Sequence, residues 1–259
     1  MCRMAAYLGS TINLNQFLTR PAHSLVVQSY APQELVYAKV NADGHGFGWY
    51  NTDNQPVNYR STMPIWSDPN LDSLSSSLES DLWLAYIRSA TEGSSVNHEN
   101  TQPFYDEDLL FMHNGYIEGF AENVRHKISE YLSNNIQAGI QGNTDSEYIF
   151  AILRELLSHD DELSIEEACS EMFGLLEAWL DDTKALLNLI ITDGDVIYAI
   201  RHGYNHDSPS LYYTAADDFF PDAQLIASER LTQSDSWQAV PEHHILILSN
   251  NDPAELLAL

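Results

Sequence analysis

The strongest constraint on the fold is a hairpin in the last third of the chain. Residues 186–192 and 196–201 are both apolar runs rich in Leu, Ile and Val, and Asp193-Gly194 between them is a strong turn signal. Such a pair needs neighbours, because two strands alone do not bury both faces. Further strands are expected at 2–9, 55–61, 83–87, 109–113, 211–214, 224–228 and 244–248. Helical spacing appears at 70–80, with Leu71, Leu74 and Leu78 on one side, and residues 118–134 read as helical. Thr144-Asp-Ser-Glu147 reads as a capping box opening a helix whose apolar face carries Tyr148, Ile149, Ile152, Leu153, Leu156 and Leu157. A second helix is expected over 164–180, with Glu166 and Glu167 near its start and Cys169 in its interior. No linker, repeat or low-complexity tract interrupts the chain. One α+β domain over residues 2–259 is therefore expected, with strands at both ends and helices between.

Charge narrows the partners. Asp and Glu outnumber Lys and Arg 38 to 11, a formal charge of -27. Nucleic-acid backbones and anionic membrane surfaces need clustered Lys and Arg, so neither is an expected partner. Two cysteines, Cys2 and Cys169, give no disulfide framework. With no spanning apolar run and no signal core behind the N-terminus, a cytoplasmic protein is expected.

Several motifs carry chemistry. Cys2 follows Met1 and is small enough for Met1 to be removed, which would leave one residue bearing a thiol nucleophile and an α-amine with a pKa of ~8. Taken alone, Cys2 is simply the residue after the start. Residues 41–50, Asn-Ala-Asp-Gly-His-Gly-Phe-Gly-Trp-Tyr, alternate Gly44, Gly46 and Gly48, so one strand face lacks side chains and admits a backbone or a ligand. Arg88 ends the apolar run 83–87 and needs a partner, structural or substrate. Asn114-Gly115 follows another strand and reads either as a hairpin turn or as paired amide donors for an oxyanion. Asp145, in the first turn of its helix, either serves the dipole or holds an ammonium group. Ten histidines invite a metal, but His-Glu-x-x-His is absent, and adjacent His243 and His244 would face opposite ways on a strand. Neither a Gly-x-Ser-x-Gly elbow nor a phosphate-binding glycine fingerprint is present. No cofactor is expected.

Taken together, Cys2, Asp43 to Gly48, Arg88-Ser-Ala-Thr91, His113-Asn-Gly115 and Thr144-Asp145 resemble the class II glutamine amidotransferase domain of the N-terminal-nucleophile hydrolases, in that family's order and at similar intervals. The resemblance implies a four-layer αββα sandwich with two stacked antiparallel sheets. It implies Cys2 as nucleophile with its freed α-amine as base, Asn114 and Gly115 as the oxyanion hole, Arg88 on the α-carboxylate of a glutamyl group and Asp145 on its α-ammonium. His98 sits where related enzymes place a second histidine near the substrate.

Stretches at 27–32, 41–44, 64–68, 88–93 and 227–229 are similar to the stand-alone amidohydrolase family of ergothioneine biosynthesis, which acts on γ-glutamyl-hercynylcysteine sulfoxide. His45 departs from it, standing where an aromatic such as Trp is expected. The trimethylammonium of a hercynyl leaving group would suit aromatic faces and acids; Trp49, Trp66 and Asp68 are candidates from local composition, each aromatic serving equally well as core. The expected ligand is a small γ-glutamyl molecule. Two other readings stand beside this hydrolase: an amidotransferase subunit passing ammonia to a separate synthetase, and a non-catalytic binding module on the same fold. A homo-oligomer is compatible with each.

Overall fold

The computed structural model describes residues 1–34, 40–91, 94–250 and 252–259. Its strands in chain order are β1 (Arg3–Asn13), β2 (His45–Tyr50), β3 (Pro56–Ser61), β4 (Glu79–Ile87), β5 (Phe104–Asp106), β6 (Leu109–Ile117), β7 (Ala185–Thr192), β8 (Val196–Tyr204), β9 (Tyr212–Thr214), β10 (Gln224–Ala227), β11 (Gln238–Ala239), β12 (His244–Ser249) and β13 (Glu255–Ala258). Among the described residues they form two sheets, ordered β11-β9-β10-β1-β4-β2-β3 and β13-β12-β8-β7-β6-β5. Every pairing between these strands is antiparallel.

Period-two patterning explains the stacking. Along β1, Met4, Ala6 and Leu8 face Leu110, Met112 and Ile190 of the other sheet, while Ala5 and Tyr7 face helices. The outer face of the first sheet is covered by the short helices Leu14–Leu18, Leu25–Tyr30 and Leu71–Ser77, through Leu14, Phe17, Leu25 and Leu71. The outer face of the second is covered by Asp145–His159 and Ile165–Leu180, through Ile149, Ile152, Leu153, Met172 and Leu176. The result is helix, sheet, sheet, helix, the four-layer αββα sandwich that the family resemblance implies. Burial on both faces is why β7 is apolar but for Asn188 and Thr192: all its residues are buried.

The β7–β8 hairpin forms as expected, with Gly194 in its turn at φ +101°. Three local readings change. Residues 118–134 are not one helix: Gly119 at φ +59° starts a short turn of helix, Phe120–Asn123, and Arg125–Tyr131 and Asn134–Ala138 follow separately. The 144–147 motif is half a capping box. Thr144 Oγ accepts from Glu147 N at 3.3 Å, but the Glu147 carboxylate turns back to the N–H groups of Gln141 and Gly142, each at 2.7 Å. The full reciprocal box lies at Ser164 and Glu167. His243 lies outside β12, at φ +59°, and only His244 begins the strand. Among the described residues no helix is long and apolar enough to cross a membrane.

Candidate active site

Strand register assembles the site. In the β1–β4 pair Arg3 faces Ile87, which brings Cys2 to the end of β4. There the thiol sits against Ser89: Ser89 N donates to Sγ at 3.3 Å, and Sγ lies 3.5 Å from Ser89 O. Cys2 is buried among the inter-sheet side chains. With Met1 attached, the Cys2 nitrogen is a peptide nitrogen. Burial holds the Met1 ammonium below its ordinary pKa; Arg3 acts in the same sense and Cys2 opposes it.

The glycine-rich stretch lies on the other side of β4. Arg88 N donates to Gly44 O, Asp43 N to Arg88 O, and Ala90 N to the Asp43 carboxylate at 2.8 Å. Asp43 thereby fixes the backbone on either side of Ser89. The bare face of β2 is filled by this chain's own backbone and side chains rather than left open to a ligand. A Cβ on Gly46 would lie 2.3 Å from Gln102 O, and one on Gly48 3.1 Å from the Leu110 side chain.

Arg88 is buried, and Nη2 donates to Ser94 Oγ and Ser95 O, both at 3.0 Å. Its Nη1 is buried without a hydrogen-bond partner, and no carboxylate among the described residues pairs with it. A buried guanidinium so placed is electrostatically ready for an anion.

Asn114 and Gly115 do not make a turn. β6 runs straight through them, with Asn114 opposite Asn188 and Gly115 opposite Leu187. The hairpin alternative fails because both flanks pair with β7 in one register. Asn114 reaches across the sandwich: Nδ2 donates to Ser228 Oγ at 3.3 Å, and the same hydroxyl accepts from Met4 N at 3.1 Å. Asn114 is thus tied to β1, the strand that follows Cys2. Its Oδ1 is buried and unpaired, and one Nδ2 hydrogen remains uncommitted by these contacts. Beside it, His113 Nε2 meets Leu186 O and Nδ1 meets Ser146 Oγ, both at 2.9 Å. The carbonyl requires a donor, so Nε2 carries the proton of the neutral ring. Burial lowers the His113 pKa, against the pull of Asp145.

Asp145 begins its helix next to the end of β6. Oδ2 accepts from Ile117 N at 2.7 Å, and Oδ1 from Ser146 N at 2.8 Å. The carboxylate fastens helix to strand and retains lone pairs for a further donor. His98 lies in the turn following Asn97, with its side chain exposed and its carbonyl accepting from Thr101 N.

The three leaving-group candidates separate. Trp49 packs in the core between sheet and helices, 5.8 Å from Trp83 and 5.9 Å from Phe47 between ring centroids. It lies on the sheet face opposite the inter-sheet cluster that holds Cys2. Trp66 is 45% exposed and meets Tyr30 edge-on at 6.2 Å. Asp68 accepts from Tyr59 Oη at 2.7 Å and from Asn70 N at 2.9 Å, and lies 3.2 Å from His45 Nε2 without hydrogen-bond alignment. Burial pushes the Asp68 carboxyl up, but those donors and His45 outweigh it and hold it below the usual range. The 88–93 stretch is described only through Thr91; Glu92 and Gly93 lie outside the described residues.

Sequence reasoning missed the residues beneath the thiol. Gln102 Oε1 accepts from His113 N at 2.6 Å, and Nε2 donates to Tyr86 Oη and His113 O, both at 3.1 Å. Burial and then the nearby Cys2 raise the Tyr86 pKa well above its ordinary value. Tyr86 stood in an apolar strand and Gln102 beside Pro103, neither with a periodic signal of its own. Glu229, from the 227–229 stretch, accepts from His23 Nε2, Gln33 N and Glu34 N and lies 3.3 Å from buried Arg3. It anchors the chain immediately after Cys2.

Known proteins share this fold. A solved glutamine aminotransferase class-II domain protein from Silicibacter pomeroyi superposes over 99% of both chains with a TM-score of 0.69 and 25% identity. The glutamine phosphoribosylpyrophosphate amidotransferase from B. subtilis shares the fold at TM-score 0.69 and 13% identity, over 99% of this chain and 49% of that one. In sequence, a probable glutamine amidotransferase DUG3 of Saccharomyces cerevisiae is 28% identical, covering 96% of this chain and 82% of its own. The gamma-glutamyl-hercynylcysteine sulfoxide hydrolase of Mycolicibacterium smegmatis is 27% identical, covering 95% of each. The family model described as Glutamine amidotransferases class-II matches residues 22–220. The chain belongs to the class II glutamine amidotransferases.

Proposed function

We propose that this protein hydrolyses a γ-glutamyl amide through an N-terminal cysteine. Removal of Met1 frees the Cys2 amine, which takes the thiol proton. The thiolate adds to the γ-carbonyl, and the resulting oxyanion is stabilised by Asn114 Nδ2–H and the Gly115 N–H. The carbon–nitrogen bond breaks as the leaving amine takes a proton from the Cys2 ammonium. A γ-glutamyl thioester remains, and water hydrolyses it to glutamate and free thiol. Arg88 holds the α-carboxylate and Asp145 the α-ammonium. His98 is a candidate contact for a substrate that reaches the outer rim.

The observation that carries the reading is the placement of Cys2 Sγ against Ser89, one residue from a buried Arg88 that pairs with no described carboxylate. For the leaving group we favour a hercynylcysteine sulfoxide, in keeping with the name of the mycobacterial relatives. The exposed Trp66–Tyr30 corner offers aromatic faces for its trimethylammonium, whereas Trp49 is committed to core and Asp68 to Tyr59 and His45. Glutamine itself is the second reading, supported by the yeast relative named as an amidotransferase; ammonia would then pass to a separate protein.

Intact mass followed by glutamate release decides between them. Loss of one methionine and preference for γ-glutamyl-hercynylcysteine sulfoxide over glutamine is the expected result, with Cys2→Ala inactive and folded. Preference for glutamine selects the second reading. Retained Met1 with no release from either substrate refutes both and leaves the non-catalytic binding module.

A further inference from the structure

We propose that Asn100 is a positioning residue that sets the separation between the two ends of the amino-acid grip, Arg88 and Asp145. Asn100 is buried at 1% exposure in the loop after β4. Its amide ties its own loop, at Ser95, to Asn143, 43 residues further along the chain than Asn100. One Nδ2 hydrogen points to Ser95, whose carbonyl and hydroxyl lie at 3.2 and 3.1 Å. The other goes to Asn143 Oδ1 at 2.8 Å, and Oδ1 accepts from Asn143 N at 3.0 Å. Ser95 O is the same acceptor that takes Arg88 Nη2. Asn143 immediately precedes Thr144, the cap of the helix that presents Asp145. Both faces of one planar amide are therefore used, one on the support of Arg88 and one on the support of Asp145.

The turn around position 142 is shaped to receive it. A Cβ on Gly142 would lie 2.2 Å from Asn100 Oδ1 and 2.8 Å from Glu147 Oε2. Glu147 holds Gln141 N and Gly142 N from the opposite side. The second loop is thus clamped between Glu147 and Asn100, and Asn100 connects that clamp to Arg88 through Ser95. A ligand with both an α-carboxylate and an α-ammonium needs the two grips at one fixed spacing; a ligand with only one of these groups does not.

This inference rests on the γ-glutamyl reading, and the test separates the two. Wild type and Asn100→Ala are assayed, after Met1 removal, on γ-glutamyl-p-nitroanilide and on glutaryl-p-nitroanilide, which lacks the ammonium. The expected result is a fall in kcat/KM of about tenfold or more on the γ-glutamyl compound, carried mainly by KM, with less than about twofold change on the glutaryl compound. Asn143→Ala, which removes the Oδ1 acceptor and keeps the backbone N–H, should show the same selectivity at smaller amplitude, and it decides the matter if Asn100→Ala does not fold. Equal losses on both substrates, or none, overturn the positioning role while leaving the hydrolase reading intact. Absence of wild-type hydrolysis of the γ-glutamyl compound overturns the hydrolase reading and the inference with it.

Discussion

Gly115→Ala tests how tightly β6 and β7 pack beside Asn114. A Cβ at position 115 would lie 1.7 Å from Leu186 O, 2.5 Å from Leu186 C and 2.6 Å from His113 Nε2. An ordinary carbon–oxygen contact is about 3.3 Å or more, so the carbonyl must retreat by roughly 1.6 Å. No N–H···O bond near 2.9 Å survives such a shift. The His113–Leu186 bond is lost and a buried imidazole N–H is left unpaired, at about 1–3 kcal/mol. Distortion of the packed strand pair adds about 1–3 kcal/mol. A total of about 2–6 kcal/mol is a large share of the ~5–15 kcal/mol that holds a folded chain. In thermal unfolding it should lower Tm by about 4–24 °C. Gly174→Ala is the matched control: no atom lies within 4 Å of a Cβ there, inside the Ile165–Leu180 helix, and the substitution should gain up to about 1 kcal/mol from helix propensity. If both variants shift Tm by the same small amount, the steric reasoning is wrong.

Asn114→Ala removes one proposed oxyanion donor, worth ~3 kcal/mol in the barrier, and kcat should fall by roughly a hundredfold or more while KM changes little; near-normal turnover on any γ-glutamyl amide would reject that role. Acid sensitivity should trace in part to His202, which packs between Phe173 and Tyr204 with Nδ1 3.2 Å from His243 Nδ1. Burial, and then the charge of His243, lowers its pKa to about 4. A lowered folded pKa leaves stability intact above the unfolded value of ~6.5 and erodes it as pH falls from there toward 4, by up to about 3 kcal/mol. Urea unfolding of wild type and His202→Phe at pH 7.5 and 4.5 checks this; an equally steep decline in both would exclude His202 as a source.

The fold was readable where one physical requirement dominates a stretch of sequence. β7 is buried on both faces and consequently apolar at every position but Asn188 and Thr192, and Asp193-Gly194 meets the positive φ its turn needs. The Asp145–His159 and Ile165–Leu180 helices lie on a sheet with one face, and their spacing displays it. Residues 118–134 misled because apolar spacing survives across three short helices, while the breaks depend on Gly119 at positive φ and on Ser133 capping a new start. Asn114-Gly115 was ambiguous for a different reason. Both the hairpin and the strand suit Asn-Gly locally, and the choice falls to β7, whose Leu186 carbonyl occupies the space a side chain would take.

The same distinction separates what could be read at the site from what could not. Cys2, Arg88 and Asp145 are chemically specialised residues at element ends, so their types and order carried information before any contact was known. The groups that hold them have no such mark. Ser228, 224 residues from Met4 in sequence, joins it to Asn114, Asn100 joins Ser95 to Asn143, and Gln102 joins Tyr86 to His113. Each is a short polar residue that would look ordinary in any loop, and its partners become neighbours only after two sheets have stacked. An unpaired buried amide costs about 1–3 kcal/mol, so these groups are tolerated in the interior because their partners arrive together. The orphans are correspondingly informative. Arg88 Nη1 and Asn114 Oδ1 remain buried without partners in a region where Gln102, Ser228 and Asn100 are bonded. A carboxylate at Arg88 would satisfy the first and offset its desolvation, which makes ligand occupancy and local stability one quantity. A non-hydrolysable γ-glutamyl analogue should therefore raise the Tm of wild type, while Arg88→Met, which has no guanidinium to satisfy, should lose most of that gain; equal stabilisation of both proteins would place the carboxylate elsewhere.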